Sequence, residues 1–302
     1  MRLIVMGQQA FGKDVLTKIL DEKKDEVVAV YCEPDKKAVD PIKEYALEQN
    51  LPVEQPAHFK DEATLAKLRS YNADLMVMAF VNVFVPQAAR DTPAQGSICF
   101  HPSLLPLHRG PSAVNWPIIM GRTESGYSWF YPTDGLDEGD VLMQWTCPIE
   151  ADDTVIDLYF KKIYPSAVDS VLEVCDLFRS ASPPHIVQDE ALATYERRCT
   201  KEHALIDWSK PVDQVYNLIR GTNPAPGAWT THNGDELSIY DSAKVSGTGN
   251  AGTVMEINDN GIEIQSDGGR ILVKKVKPKG GKKVSASEWV SSSGLSVGDS
   301  LG

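Results

Sequence analysis

The first half of the chain alternates short apolar runs with stretches of helical spacing. Arg2 to Met6 is an apolar run ending at Gly7, Val27 to Tyr31 is a second, closed by Pro34, and Ala73 to Ala79 is a third. Runs this short, bounded by glycine or proline, predict buried strands. Between them, Asp14 to Leu20, Asp40 to Asn50 and Lys60 to Tyr71 space their apolar residues as helices do. Leu51 to Val53 adds a short strand, and Ser97 to His101 and Tyr127 to Tyr131 read as later ones. Alternation at this pitch predicts βαβ units and a mainly parallel sheet. Asp153 to Ser180 reads as a long helix with Val155, Leu158, Tyr159 and Ile163 as apolar positions and Pro165 as a kink or break.

The pattern changes near Ser182. SPPH is a breaker cluster, and an irregular polar stretch follows to Asp207. Beyond it come short strand candidates at Leu237 to Tyr240, Gly252 to Ile257, Gly261 to Ser266 and Arg270 to Val276. Close spacing of short strands predicts a small β-barrel or sandwich. The chain therefore divides into 1–182, a linker over 183–206, and a small domain over 207–302.

Composition narrows the classes. At 302 residues and 42% hydrophobic, the chain can bury a core and is not disordered by composition. The net charge of −12 argues against coating nucleic acid or an anionic membrane, but leaves room for a local basic patch. That charge is uneven: residues 1–206 carry −11 and residues 207–302 carry −1. Within the latter, Arg270 to Lys283 holds seven basic residues and no acid: Arg270, Lys274, Lys275, Lys277, Lys279, Lys282 and Lys283. It reads as a solvated rim or as a docking strip for a polyanion. Apolar stretches such as Leu75 to Val85 fall short of the roughly 20 residues a bilayer requires. The start, MRLIVMGQQAFG, lacks the features of a signal peptide. Five scattered cysteines, with no CxxC pair, match a reducing compartment. A cytoplasmic enzyme is the expectation.

Three stretches carry candidate chemistry. GQQAFGKD (7–14) fits GxxxxGK, yet Asp14 stands where a phosphate-binding loop needs a hydroxyl, so it reads as a tight strand-to-helix turn. GxGxxG is absent after the first strand. SICFHPSLLPLHRGPSAVNW (97–116) ends an apolar strand on a histidine and continues in a proline-rich segment. Groups just beyond strand ends line the ligand crevice of an open α/β sheet. Cys99 and His101 lie two apart and so share a face. His101 suits general acid or base work, or a structural role. Arg109 suits pairing with a carboxylate or phosphate, or tying the loop down. TDGLDEGDVLMQ (133–144) sets Asp134, Asp137, Glu138 and Asp140 before a strand. The spacing is not that of a calcium loop, which favours one aspartate aimed at His101 or at substrate. A zinc site from Cys99, His101 and His108 lacks a second ligand pair, and a Cys99–His101 nucleophilic pair lacks hydrogen-bond reach.

HPSLLPLHRG followed by DGLDEGD resembles the folate-dependent formyltransferases. The likeness extends over essentially the whole chain, through TYERRCTKEHALIDW (194–208), IRGTNPAPGAWT (219–230) and the tail GLSVGDSLG. It is similar to two branches, methionyl-tRNA formyltransferase and the hydrolase domain of 10-formyltetrahydrofolate dehydrogenase, and HPSLLPLHRGPSAVNW and DGLDEGD read more like the latter. The resemblance implies a Rossmann-like open, mainly parallel sheet domain of the α/β class that binds folate and catalyses, followed by a small OB-like β-barrel domain. It implies 10-formyltetrahydrofolate as one-carbon donor and no metal. The family's Asn-x-His motif falls on Cys99 and His101, and the aspartate of its Leu-Asp-x-Gly loop falls on Asp137. Ala79, Phe80, Ser103, Arg109, Asp134, Gly135 and Leu136 are implied as substrate-binding, with the pterin between Ala79–Phe80 and the loop 132–140.

The departure at Cys99 bears on the acceptor. An asparagine amide donates to the oxyanion formed when an amine attacks the formyl carbon, whereas a thiol is a weak donor. Loss of one such donor costs on the order of 10²–10³ in rate. The dehydrogenase's hydrolase domain departs from asparagine at the same point. The resemblance thus implies hydrolysis to formate, or transfer to a small amine. The runner-up is formylation of Met-tRNA: the short PDKKAVDP stretch (34–41) counts against the tRNA, and the basic strip at 270–283 counts for it. Sugar N-formyl transfer and folate binding without catalysis complete the alternatives.

Overall fold

The structure, a computed structural model, describes every residue except Lys36 and Ala181. One lysine of the 34–41 stretch and one residue of the 1–182 segment therefore lie outside the described residues. In chain order the elements are β1 (Arg2–Gly7), α1 (Gln9–Glu22), β2 (Glu26–Tyr31), α2 (Pro41–Glu48), β3 (Val53–Glu54), α3 (Glu62–Ser70), β4 (Leu75–Ala79), α4 (Gln87–Arg90), β5 (Ser97–His101), α5 (Asn115–Ile119), β6 (Glu124–Phe130), β7 (Val141–Pro148) and α6 (Tyr164–Arg179). They continue with α7 (Val212–Gly221), β8 (Ala228–His232), β9 (Asp235–Val245), β10 (Val254–Asn258), β11 (Gly261–Ser266), β12 (Gly269–Pro278), β13 (Val284–Ser285) and α8 (Ala286–Ser293). The chain forms two compact units, the first made of Met1–Gly110, Gly126–Cys147 and Lys162–Tyr195, the second of Pro111–Ser125, Pro148–Lys161 and Glu196–Gly302.

The sheet of the first unit runs β3-β2-β1-β4-β5-β6-β7. Pairings from β3 through β5 are parallel, and β6 is antiparallel to β5. Strands with both faces covered read as continuous apolar runs, and every residue of β4 is buried. The connections reverse direction between β1 and β4, which sets a switch point at their carboxyl ends. Gly7 is required there: a Cβ on it would stand 2.4 Å from the Ala79 carbonyl oxygen. This accounts for the first glycine of the 7–14 turn by packing alone.

The helix expected over Asp153 to Ser180 is two pieces. A π-helical stretch (Asp157–Ile163) precedes α6, and Pro165 sits in the first turn of α6, where its missing N–H has no partner to lose. Ser170 on α6 accepts from the Trp129 indole at 2.8 Å and donates to the Ala167 carbonyl at 2.8 Å. Trp129 is fully buried. Ser170→Ala should therefore lower stability by about 1–3 kcal/mol, because the indole N–H stays buried without an acceptor. Urea unfolding of the two proteins measures this, and an unchanged midpoint would contradict it.

Where a linker is expected, residues up to Tyr195 join the first unit. Ile186 exchanges backbone hydrogen bonds with Val141, and Arg109 N donates to the Thr194 carbonyl at 3.0 Å. In the second unit, β10-β11-β12-β9-β8 form one antiparallel sheet with β13 beside β12. The expected small β domain is present as this antiparallel sheet; among the described residues the pairings run as a path from β10 to β8 and give no closure into a barrel. Val215 and Ile219 of α7 pack into the apolar cluster with Leu237, Ile239, Ile262 and Ile271. Among the described residues, no helix is long and apolar enough to cross a membrane.

Candidate active site

β5 ends on His101, as the sequence reads it, and the strand alternation turns Cys99 and His101 to one face. β5 lies between β4 and β6, with Cys99 paired to Met78 and Phe130, and His101 to Ser128. The His101 ring is buried, and its Nε2 lies 2.9 Å from the His108 carbonyl oxygen. Its Nδ1 lies 3.6 Å from Asp137 Oδ2. That is ion-pair proximity rather than a made hydrogen bond, a gap common at catalytic pairs before substrate arrives. Each ring nitrogen thus faces an oxygen acceptor.

Asp137 reaches this position through an unusual backbone. Its φ is +56°, in the left-handed region that aspartate tolerates better than most residues. Oδ2 accepts from the Gly110 N–H at 2.8 Å. Gly139 brings the loop close to the sheet, since a Cβ there would stand 1.6 Å from the Tyr131 carbonyl oxygen. Residues 108–110 therefore touch both chemical groups, His108 through its carbonyl and Gly110 through its N–H.

Cys99 packs against Leu105, Phe130 and Val141 on one side and against the β1–β4 cluster on the other. Cys99 is half-buried. Burial pushes the Cys99 thiol far up, and the Asp137 carboxylate adds to this. Sγ–H points to the Phe100 carbonyl at 3.7 Å. A neutral thiol so placed is not a nucleophile.

The other expected binding residues divide. Phe80 follows β4 with φ +63° and lines a groove at the switch point with Gly7, Gln8, Tyr31, Phe59 and Val81. Two buried groups of that groove, Gln8 Nε2 and the Tyr31 hydroxyl, have no protein partner among the described residues. Burial raises the Tyr31 pKa, which keeps the hydroxyl neutral. Ala79 is fully buried. The loop 132–140, expected to face Ala79–Phe80 across the pterin, contributes nothing to this groove's lining. Leu136 is exposed, Gly135 N donates to Thr133 Oγ1 at 3.3 Å, and Asp134 accepts from Arg90 at 2.7 Å. Ser103 is fully buried, with its hydroxyl spent on the Leu107 carbonyl at 2.7 Å.

Arg109 is also fully buried and bonds protein rather than an open cleft. Its guanidinium donates to Gln188 Oε1 at 3.1 and 2.8 Å, to Glu190 at 3.0 and 2.6 Å, and to the Tyr195 hydroxyl. Of the two roles open to it in sequence, the geometry is that of tying a loop down. Gln188 and Glu190 carry no periodicity or motif that singles them out, and Tyr195 lies in the TYERRCTKEHALIDW stretch without a role attached to it; only the need of a loop arginine for partners points their way. Among the described residues, no three His, Cys, Asp or Glu side chains converge in a way that could hold a metal ion.

On the basic strip, Lys283 Nζ lies 3.4 Å from the centre of the Tyr240 ring. Burial, then the charges of Lys275 and Lys277, lower its pKa. Arg270 is instead paired with Glu263 at 3.0 Å, and Lys279 with Asp235 at 3.6 Å. Lys274 and Lys282 are exposed.

Comparison with known proteins gives the family. A family model described as "Formyl transferase" matches residues 1–165, and "Formyl transferase, C-terminal domain" matches residues 198–294. Mitochondrial 10-formyltetrahydrofolate dehydrogenase of Mus musculus is 34% identical over 313 residues, covering 98% of this chain. The chain spans 34% of that relative's length, about a third. Methionyl-tRNA formyltransferase of Fusobacterium nucleatum is 33% identical over 312 residues, covering 100% of both chains. The solved N-formyltransferase of Helicobacter canadensis, in complex with folinic acid and dTDP-3-aminofucose, matches with a TM-score of 0.67 at 19% identity, over 90% of this chain and 98% of that one. At that identity the likeness shows the fold. The two matched family models, in chain order over most of the sequence, establish that this chain belongs to the formyl transferase family of enzymes.

Proposed function

We infer that the chain acts on the formyl group of 10-formyltetrahydrofolate and releases tetrahydrofolate, with water or a small amine as acceptor. The approach of His101 to Asp137, from residues 36 positions apart, carries this reading. A nucleophile adds to the formyl carbon, and the carbonyl oxygen gains negative charge. His101 donates a hydrogen bond or a proton from Nδ1, the nitrogen that is not on the His108 carbonyl, to that oxygen, and Asp137 orients the ring or takes the proton that water sheds. The bond from carbon to the folate nitrogen then breaks, and the nitrogen takes up a proton. Water gives formate; an amine gives a formamide. Cys99 places a weak thiol donor where an amide would serve the oxyanion, and that oxyanion forms with either acceptor, so His101 carries its stabilisation.

A second reading, formylation of the amino group of Met-tRNA, is supported by the run of basic residues over 270–283 and by the full-length match to a protein of that name. Cations of this kind would bind phosphates with a steep salt dependence. Incubation with 10-formyltetrahydrofolate alone, then with Met-tRNA or a panel of amines, separates the readings. Formate release without acceptor supports hydrolysis. Consumption only when an acceptor is present overturns it, and consumption that requires Met-tRNA and fades with salt supports the second. A chain that binds a folate analogue but consumes no donor would overturn both.

A further inference from the structure

Asp137 holds its left-handed backbone only because its surroundings fix it. Three contacts do so. Gly110 N–H reaches its carboxylate at 2.8 Å. Tyr195 donates to the neighbouring Glu138 at 2.8 Å. The third is the Gln188 amide, whose Nε2 donates to the Asp137 carbonyl at 2.8 Å and to the Gly139 carbonyl at 2.6 Å. The other end of the same amide, Oε1, accepts from Arg109 Nε at 3.1 Å and Nη2 at 2.8 Å. Gln188 is buried, and both hydrogens and both lone pairs of its amide are used. Its orientation follows from its partners: a flipped amide would set N–H against guanidinium N–H and oxygen against two carbonyls.

The two segments that Gln188 joins are the ones that hold the reacting groups. Arg109 lies between His108, whose carbonyl meets His101 Nε2 at 2.9 Å, and Gly110, whose N–H meets Asp137. The loop 137–139 carries Asp137 itself. One buried amide therefore spans the mount of the histidine and the mount of the aspartate. Its hydrogen bonds go to Arg109 and to the backbone carbonyls of Asp137 and Gly139, and to neither reacting side chain among the described residues.

The geometry points to Gln188 as the positioning residue that sets the separation of His101 and Asp137, acting through Arg109 on one side and the carbonyls of Asp137 and Gly139 on the other. The role rests on the His101–Asp137 chemistry inferred above. Without the amide, the loop keeps its sequence but loses two of the donors that hold its backbone, and the carboxylate drifts from the ring. A misplacement near 1 Å at a catalytic pair costs about 10²-fold in rate.

Gln188→Leu in the full chain should lower kcat on 10-formyltetrahydrofolate by about 10²-fold while moving KM by less than about threefold. With Asp137→Asn already present, the same substitution should cost less than about threefold more, since the group it positions is gone. A residue that merely stabilises the fold would add its full effect in both backgrounds. The Leu variant overturns the role if it is folded and keeps kcat within about threefold of the parent, if its loss lies in KM, or if the two substitutions are additive. Should it not fold, Gln188→Glu is judged by the same criteria; it keeps the acceptor for Arg109 but turns lone pairs on the two carbonyls. Unfolding of both would overturn the role by making Gln188 a stability residue. Nitrogen-15 resonances of the His101 ring supply a readout that needs no turnover: they should move in Gln188→Leu in the direction they move in Asp137→Asn. If the parent chain leaves 10-formyltetrahydrofolate intact, the functional reading fails, and Gln188 stands or falls on those resonances; unchanged shifts overturn it.

Discussion

Replacing His101 with alanine should remove nearly all turnover of 10-formyltetrahydrofolate, with kcat lower by about 10³-fold or more. The ring sits at the end of β5, and no neighbouring group can take its place. Cys99, on the same face, is a neutral thiol directed at the Phe100 carbonyl. Asp137 is an acceptor when ionised and cannot donate to a developing oxyanion. The strand itself does not depend on the ring, because His101 is held in the sheet by backbone pairing opposite Ser128. The variant should therefore fold and keep donor binding close to that of the parent, so that the loss falls on kcat. Formate release, followed beside a folate-binding titration, measures both. Activity retained within tenfold of the parent would sink the assignment of His101.

Asp137→Asn should cost about 10²–10³-fold in kcat, for a reason that can be read from the donors and acceptors. An asparagine oxygen still accepts from Gly110 N–H, which meets Oδ2 at 2.8 Å in the parent. Its amide NH₂ then turns towards His101 Nδ1, which faces Asp137 at 3.6 Å. A donor there locks Nδ1 as an acceptor, while Nε2 remains fixed on the His108 carbonyl at 2.9 Å. The ring then has no N–H left to offer a developing oxyanion. The backbone of residue 137 favours this test, since asparagine tolerates the left-handed region as aspartate does. Single-turnover kinetics with excess enzyme isolate the chemical step. A rate within threefold of the parent would show that Asp137 has no part in it.

Much of the first unit is legible from local pattern. The strand Ser97–His101 has the same bounds in sequence and structure, because its apolar run stops at the histidine and a proline follows. β1, β2 and β4 fall where the apolar runs lie, and α1, α2 and α3 where the helical spacing lies. These signals survive because strand and helix periodicity is set by residues a few positions apart. The same locality limits what pattern says of the rest. Breakers and strand spacing, on which the linker and the barrel rest, do not say what the chain packs against. Ile186 finds the edge of β7 at Val141, and the β8 to β12 strands form a path with two ends.

The site divides in the same way. The amino-acid sequence by itself determined that Cys99 and His101 share a strand face and that an acidic, glycine-rich loop precedes β7. Those are consequences of the period of two and of turn chemistry. The Leu-Asp-x-Gly resemblance picks Asp137 out of that loop, and the tertiary structure supplies its distance from His101, 3.6 Å from Nδ1 to Oδ2. The tertiary structure alone decided that Arg109 is a buried tie, and that Gln188, 79 positions further along, holds both mounts. The physical reason is that a hydrogen-bonding side chain in a loop carries no periodic signal. Whether it meets substrate, solvent or another loop depends on which segments the sheet order β4-β5-β6 brings together.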